Sequence, residues 1–139
     1  MKKHLMCSAF LMATLGATPA LAMDNMKMGV WADNQDVAAG TVTAKKVTTD
    51  TNGWLVVHRT DEGGKPGPVV GHAPLKKGKN MDVAAILTED VSAGDHLMLM
   101  IHGEDGGMKT GHFEYTLGAK EDGPVRMDGD LVMTVIMAE

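Results

Sequence analysis

The chain has 139 residues, with 13 Lys and Arg against 18 Asp and Glu, and its formal net charge is −5 at pH 7. An acidic chain without a basic stripe is a poor candidate for binding nucleic acid. The one cysteine, Cys7, lies near the start, so the remainder of the chain has no disulfide, no thiol nucleophile and no cysteine metal ligand.

The first 22 residues have the pattern of a secretory signal peptide. Lys2 and Lys3 provide a basic start, an apolar stretch follows, and Ala20-Leu21-Ala22 is a small-residue cleavage site. Cleavage after Ala22 would leave 117 residues of formal charge −7, the size of one domain. The apolar stretch is short for a permanent membrane span, which needs about 20 residues, and no later segment is long enough. The sequence therefore predicts a periplasmic or secreted protein without a membrane span after cleavage.

The elements that follow predict an all-β domain. Residues 23–34 have no strand pattern and are expected to form a Met-rich extended arm, followed by one domain over residues 35–139. Short runs rich in Val, Thr, Leu and Met alternate there with Asp-Gly and Glu-Gly turn signals. Their spacing predicts strands at residues 41–47, 54–58, 69–72, 81–87, 96–102, 110–117 and 131–137, with an eighth at 36–39. Seven to eight strands at this spacing predict an immunoglobulin-like antiparallel β-sandwich.

Several segments of this domain resemble a known family. Gly71–Leu75 (GHAPL) and Asp122–Val125 (DGPV), together with Phe113–Tyr115, are similar to an uncharacterised exported domain family of archaeal and bacterial surface and periplasmic proteins. The resemblance covers residues 35–137 and implies an immunoglobulin-like fold and an exported location. The family has no settled activity, so the resemblance assigns no catalytic residue.

Residues 23–139 lack the common catalytic motifs. Their single serine, Ser92, lies in a predicted turn without the nucleophile-elbow pattern around it. A zinc-binding H-E-x-x-H motif and a Gly-rich phosphate loop are also absent from the sequence. We therefore predict a non-enzymatic exported module, binding or structural, whose partner the sequence does not identify.

Methionine is the residue type in which the chain is unusual. Ten of its 13 methionines follow Ala22, well above the ordinary share of about one in fifty. Thioether sulfur selects Cu(I), and an exported domain without cysteine would use it together with imidazole. Alternatively, methionine replaces Leu or Phe as an adaptable core residue. Met133 and Met137 share a strand face with Leu131 and Val135 and are expected to be core.

The strand at 96–102 carries the strongest candidate metal ligands. Alternation puts its Leu and Ile residues on the core face and its His and Met residues on the outer face. Antiparallel pairing across the turn at 103–107 would set His112 opposite Met98 or Met100. The candidate ligands for Cu(I), with Cu(II) held more weakly, are Met98, Met100, His102 and His112. The alternative is a sheet buried on both faces, with the methionines as core and the histidines at its rim.

Two further groups are weaker candidates. Met23, Met26 and Met28 have the spacing of flexible Met-rich copper arms, or they belong to a leader without a role. His58 and His72 flank the loop at 61–68 and would be cross-strand neighbours, most simply as hydrogen-bonded structural histidines. A periplasmic copper-binding protein is thus the alternative to a module with an unknown ligand. The acidic turns lack the ligand spacing of a Ca²⁺ loop.

Overall fold

The computed structural model describes residues 27–139, in which the chain forms nine β-strands and no helix. Residues 1–26, which include the predicted signal peptide, Met23 and Met26, lie outside the described residues. The strands are β1 Gly29–Trp31, β2 Thr41–Thr49, β3 Gly53–Thr60, β4 Val69–Leu75, β5 Gly78–Leu87, β6 His96–Gly103, β7 Arg126–Met127, β8 Asp130–Leu131 and β9 Met133–Met137. Across residues 27–139 there is accordingly no helix of the length and hydropathy that a membrane span requires.

Seven strands form one antiparallel sheet in the order β1-β2-β5-β4-β3-β6-β9, and β7 and β8 form a separate two-stranded sheet. The large sheet curls until its two ends meet. Gln35, after β1, forms a bridge with Ala138, after β9, and the Met137 amide donates to Asn34 Oδ1 at 2.9 Å. The sheet is therefore nearly a barrel. The all-β prediction is confirmed, while the immunoglobulin-like sandwich stays a prediction.

Aliphatic side chains fill the inside of the curled sheet. The adjacent strands β3 and β6 contribute alternate residues, as the two-residue period of a strand requires, and all of them are fully buried: Leu55, Val57, Leu97, Leu99 and Ile101. Each such side chain contributes about 1.5–3 kcal/mol when it leaves water. The predicted core face of residues 96–102 is therefore confirmed.

Two predicted strands do not form. Residues 110–117 are an irregular run of turns, because β6 is already paired on one side with β3 and on the other with β9. No edge of β6 is therefore left for them. Residues 36–39 also form no strand, whereas Gly29–Trp31, within the predicted arm, pairs with β2.

The expected facing of the last strand is wrong. Met133, Val135 and Met137 are 38–40% exposed, so they lie on the outside of the sheet. The register sets Ile136 opposite Leu97, which belongs to the core face of β6. Ile136 therefore points inward, and its neighbours at odd-numbered positions point outward.

Candidate metal centre

The outer face of β3 and β6 is buried as deeply as the core. Met98, Met100 and His102 of β6 are at most 1% exposed. On the neighbouring strand β3, the residues of the same face include Trp54, 6% exposed, and His58, which is fully buried. In the register of the two strands, His58 lies opposite Met98 and Trp54 lies opposite His102. The interpretation of a sheet buried on both faces thus describes β6, but His102 is inside and not at a rim.

The segment between β6 and β7 covers this face. We call residues 104–125 the cover segment. Its Phe113 stacks on His72 with ring centroids 4.4 Å apart, and its Tyr115 packs edge-on against His102 at 4.5 Å. Phe113 also meets Trp54 at 5.5 Å. These two aromatic rings close the outer face of the sheet.

Beneath this cover, His58 and His102 face each other. Their Nε2 atoms are 3.2 Å apart. The Nδ1 atom of His58 lies 2.8 Å from the Gly67 carbonyl oxygen, and that of His102 lies 2.6 Å from the Asp122 carbonyl oxygen. Because a carbonyl oxygen only accepts, each Nδ1 carries the proton and donates. In the neutral rings both Nε2 atoms therefore present lone pairs, and these lone pairs face each other.

Two lone pairs at this separation repel, so a metal ion bound by both nitrogens, to one side of the line that joins them, would stabilise the pair. At a metal–nitrogen distance of about 2.0–2.1 Å, two nitrogens 3.2 Å apart subtend about 100–105° at the metal. That angle is close to tetrahedral, whereas a linear two-coordinate ion would need the nitrogens about 4 Å apart. The spacing thus fits a metal with further ligands beyond the two imidazoles.

Burial keeps the two rings neutral. It lowers the pKa of His102 to about 4, while the hydrogen bond to the Asp122 carbonyl raises this pKa and the nearby His58 lowers it. Burial likewise lowers the pKa of His58, against the hydrogen bond to Gly67, which raises it. Neutral imidazole is the form that binds metals, so no proton has to leave either Nε2 before a metal can bind.

Asp122 fastens the cover segment above the histidines. Its fully buried carboxylate accepts the amide of Glu114 at 2.8 Å through Oδ2 and the amide of Asp105 at 3.2 Å through Oδ1. Its carbonyl oxygen holds the His102 ring, as described above. The residue has a φ of 45°, in the left-handed region that Asp tolerates better than most residues. One residue of the DGPV segment thus fixes both the cover and a ring of the pair.

The structure brings together three of the four predicted ligands of the outer face. Met98, Met100 and His102 share the buried surface, whereas His112 is exposed in the cover segment. The expected pairing of His112 with Met98 or Met100 is wrong, because residues 110–117 form no strand. Met28 lies elsewhere, packed against the barrel core.

For His58 the sequence predicted the role in its hairpin correctly and the neighbouring histidine wrongly. His58 does hold its hairpin, through Gly67, but its partner across the site is His102 and not His72. His72 lies opposite Val56, and its ring stacks on Phe113 instead of facing His58. A sequence signal existed for part of the site, since the DGPV segment, which begins at Asp122, is one of the family-like motifs, and the WLVVH strand that ends at His58 was predicted. Only the pairing of β3 with β6 joins them.

Within residues 27–139, no three His, Asp or Glu side chains are grouped so that they could hold a metal ion. A metal at the histidine pair would therefore take its further ligands from another residue type. The outer face offers Met98 and Met100, which lie on the same face of β6 as His102.

The fold and the site define an all-β domain with a buried histidine pair beside two buried methionines. The family model of DUF7282, a domain of unknown function, matches residues 29–138, and the chain belongs to this family. No curated protein and no solved structure matches the chain.

Proposed function

We propose that this protein is an exported, non-enzymatic domain that binds Cu(I) between His58 and His102, with Met98 and Met100 as the thioether ligands. The observation that carries this proposal is the 3.2 Å separation of two Nε2 atoms whose rings each donate from Nδ1 to a backbone carbonyl. In metal sites the second ring nitrogen is commonly fixed in this way, which sets the tautomer and aims the ligating nitrogen.

The register of the strands supports the thioethers as ligands. Met98 is the direct partner of His58 across β3 and β6, and Met100 lies between Met98 and His102 on the same face. Directly opposite residues have Cβ atoms about 4.5–5.5 Å apart, within reach of a flexible methionine side chain. Along the two strands, Met100 lies between the positions of His58 and His102, which places its thioether on the same stretch of the outer face as the two imidazoles.

The ligand chemistry favours Cu(I) over other ions. Zn²⁺ sites in proteins are built from thiolates, imidazoles and carboxylates, whereas thioether sulfur is a soft ligand suited to Cu(I). Burying a monovalent ion also costs less than burying a divalent one. Cu(II) would be held weakly, through the imidazoles.

A competition titration with matched variants tests the metal site. Purified protein is titrated with Cu(I) under reducing conditions against the chelator bicinchoninate, with Cys7→Ser in every variant to remove the thiol. His58→Asn and His102→Asn keep a donor near the Nδ1 position but remove Nε2, and each should lower Cu(I) affinity at least tenfold. His112→Asn, at an exposed histidine, is the control and should bind as the parent does. Parent-like affinity in both pair variants would refute the site.

The exported location is supported by the basic start, the apolar stretch and the Ala20-Leu21-Ala22 site. We also propose that the domain belongs to the exported immunoglobulin-like family that the GHAPL and DGPV segments resemble. N-terminal sequencing of protein recovered from a bacterial periplasm should begin at Met23. An unprocessed chain confined to the cytoplasm would contradict export.

A further inference from the structure

A methionine-lined groove follows the seam where the curled sheet does not fully close. It lies between β1 on one side and the end of β8 and start of β9 on the other, with a volume of about 350 Å³. Separate parts of the chain contribute one methionine each to its lining: Met28 before β1, Met127 in β7 and Met133 in β9. We call this the seam groove.

Met133 connects the seam groove to the outer face of β6. The register sets Met133 opposite Met100. The amide of Met137 donates to Asn34 and its carbonyl accepts from Gln35, so both groups point away from β6. Two-residue alternation gives Met133 the same orientation, which makes it a non-hydrogen-bonded partner of Met100. In such pairs the Cα atoms are about 4.5 Å apart and the side chains lie close together.

The pair of Met133 and Met100 joins an exposed side chain directly to a buried one. Met133 is 38% exposed, whereas Met100 is 1% exposed and lies beside the histidine pair. Both side chains end in the same soft thioether. A monovalent soft metal could therefore pass inward from one sulfur to the next without entering an apolar region as a bare ion.

Charged side chains of both signs surround the seam groove. Asp128, Asp130 and Lys27 line it, and the two carboxylates are exposed. Lys46 lies over the ring of the lining Trp31 at 3.8 Å, and Arg126 donates to the Gly129 carbonyl oxygen. Charge therefore does not select a cation there, and the case for a metal rests on the thioethers. Packing alone accounts for part of the arrangement, because Met28 and Met127 also contact the barrel core. Packing does not require sulfur, and Leu would fill the same volume.

We propose that the seam groove is a loading site where Met28, Met127 and Met133 hold Cu(I) before the metal passes through Met100 to the histidine pair. The proposal rests on the proposed function. The transfer is a ligand exchange: one Cu–S bond forms as another breaks, and copper stays in the +1 state throughout. No oxidant, reductant or proton acceptor is needed.

The rate of loading tests this proposal separately from affinity. Cu(I) is delivered from its bicinchoninate complex in a stopped-flow instrument to chains carrying Cys7→Ser. The groove variant combines Met28→Leu, Met127→Leu and Met133→Leu, which keeps volume and removes sulfur. We expect its loading rate to fall at least tenfold while the equilibrium affinity at the histidine pair changes less than twofold.

A matched variant controls for the loss of three thioethers. Met81, Met108 and Met137 are exposed by 58%, 92% and 38%, and none lines the seam groove. Changing these three to Leu should leave the loading rate at the parent value. A groove variant that loads as fast as this control would overturn the loading site, and so would equal slowing of both variants.

A second measurement needs no substituted protein. In the chain labelled with ¹³C at the methionine methyl groups, the first equivalent of Cu(I) should shift the Met98 and Met100 signals, and Cu(I) added beyond it should shift those of Met28, Met127 and Met133. Groove signals that do not move would overturn the proposal, even if the groove variant failed to fold. Unchanged affinity in His58→Asn and His102→Asn would instead refute the histidine site and with it the transfer, so the two failures are distinguishable.

Discussion

On one face of β6, Leu97, Leu99 and Ile101 pack inside the curled sheet, and on the other, Met98, Met100 and His102 lie under the cover segment. Neither face exposes more than 1% of any of these side chains. The inner face is enclosed by strands of the same sheet. The outer face is enclosed by turns and two aromatic rings, which Asp122 holds in place.

The comparison teaches that burial alone does not separate a core from a site. An aliphatic face needs no partner beyond close packing. Two imidazoles with opposed lone pairs are polar groups in an apolar setting, and such groups cost free energy unless a partner satisfies them. Burying the outer face therefore costs free energy that burying the inner face does not. The following substitutions and conditions should affect the two faces differently.

Trp54→Ala should be the most damaging of these changes. Trp54 is 6% exposed on the outer face and contacts Phe113 at 5.5 Å, so its loss leaves a cavity between sheet and cover. We expect the free energy of unfolding in urea to fall by about 3–5 kcal/mol. Trp31→Ala, at a tryptophan that is 42% exposed, is the control and should cost much less. A loss below about 1 kcal/mol for Trp54→Ala would show that the outer face contributes little to stability.

Acid should destabilise the metal-free protein through the outer face. The pKa of His102 falls from 6.5 to about 4 on folding, so the unfolded chain binds more protons below pH 6.5. The stability from the neutral ring is complete above pH 6.5 and is lost as the pH falls towards 4, by about 3 kcal/mol. Urea unfolding at a series of pH values measures this slope.

The variant His102→Asn should lose that part of the pH dependence, whereas Leu99→Ala on the inner face should be less stable at every pH with the slope retained. An identical slope in His102→Asn and the parent would contradict the assignment of acid sensitivity to the histidine pair. Saturating Cu(I) should shift the loss of stability to lower pH, because the metal competes with protons for Nε2.

Asp122→Asn should loosen the cover while leaving the barrel folded. The amide side chain cannot accept both backbone N–H groups that the carboxylate accepts, those of Glu114 and Asp105. We expect a loss of about 1–3 kcal/mol and faster hydrogen exchange across residues 104–121 than in the parent. Asp128→Asn is the matched control, since Asp128 also has a positive φ but is exposed. Equal exchange in the two variants would refute the fastening role.

Exchanging residue types between the two faces should have the smallest effect on stability and the clearest effect on metal binding. Met98→Leu with Met100→Leu keeps volume and apolarity, so stability should change by less than about 1.5 kcal/mol. Cu(I) affinity should nevertheless fall tenfold or more. The mirror variant, Leu97→Met with Leu99→Met, should cost similarly little and leave the affinity unchanged. Equal affinities in both variants would show that methionine on this strand is packing.

The inner and outer faces of β6 could be predicted from the sequence, because they depend only on local strand geometry. The two faces of residues 96–102 follow from a two-residue period that needs no knowledge of neighbouring strands. The strand predicted at residues 110–117 does not form, because both edges of β6 are occupied by β3 and β9. Strand order decides that outcome, and no local pattern encodes it.

The contact between His58 and His102 could not be predicted from the sequence either, because strand order decides it as well. His58 and His102 are 44 residues apart, and they meet because β3 pairs with β6 in the curled sheet. Their Nδ1 partners, Gly67 and Asp122, come from two different loops. Four separate segments thus meet at the histidine pair, and the sequence predicted the strand of each histidine but not that the two strands are neighbours.

X-ray absorption at the copper edge tests the central claim most directly. On protein loaded with one equivalent of Cu(I) and carrying Cys7→Ser, we predict two nitrogen scatterers with the multiple-scattering pattern of imidazole, together with sulfur at about 2.3 Å. In His58→Asn with His102→Asn the imidazole pattern should disappear. A first shell of sulfur alone in the parent, or an imidazole pattern that survives in the double variant, would contradict a copper site between His58 and His102.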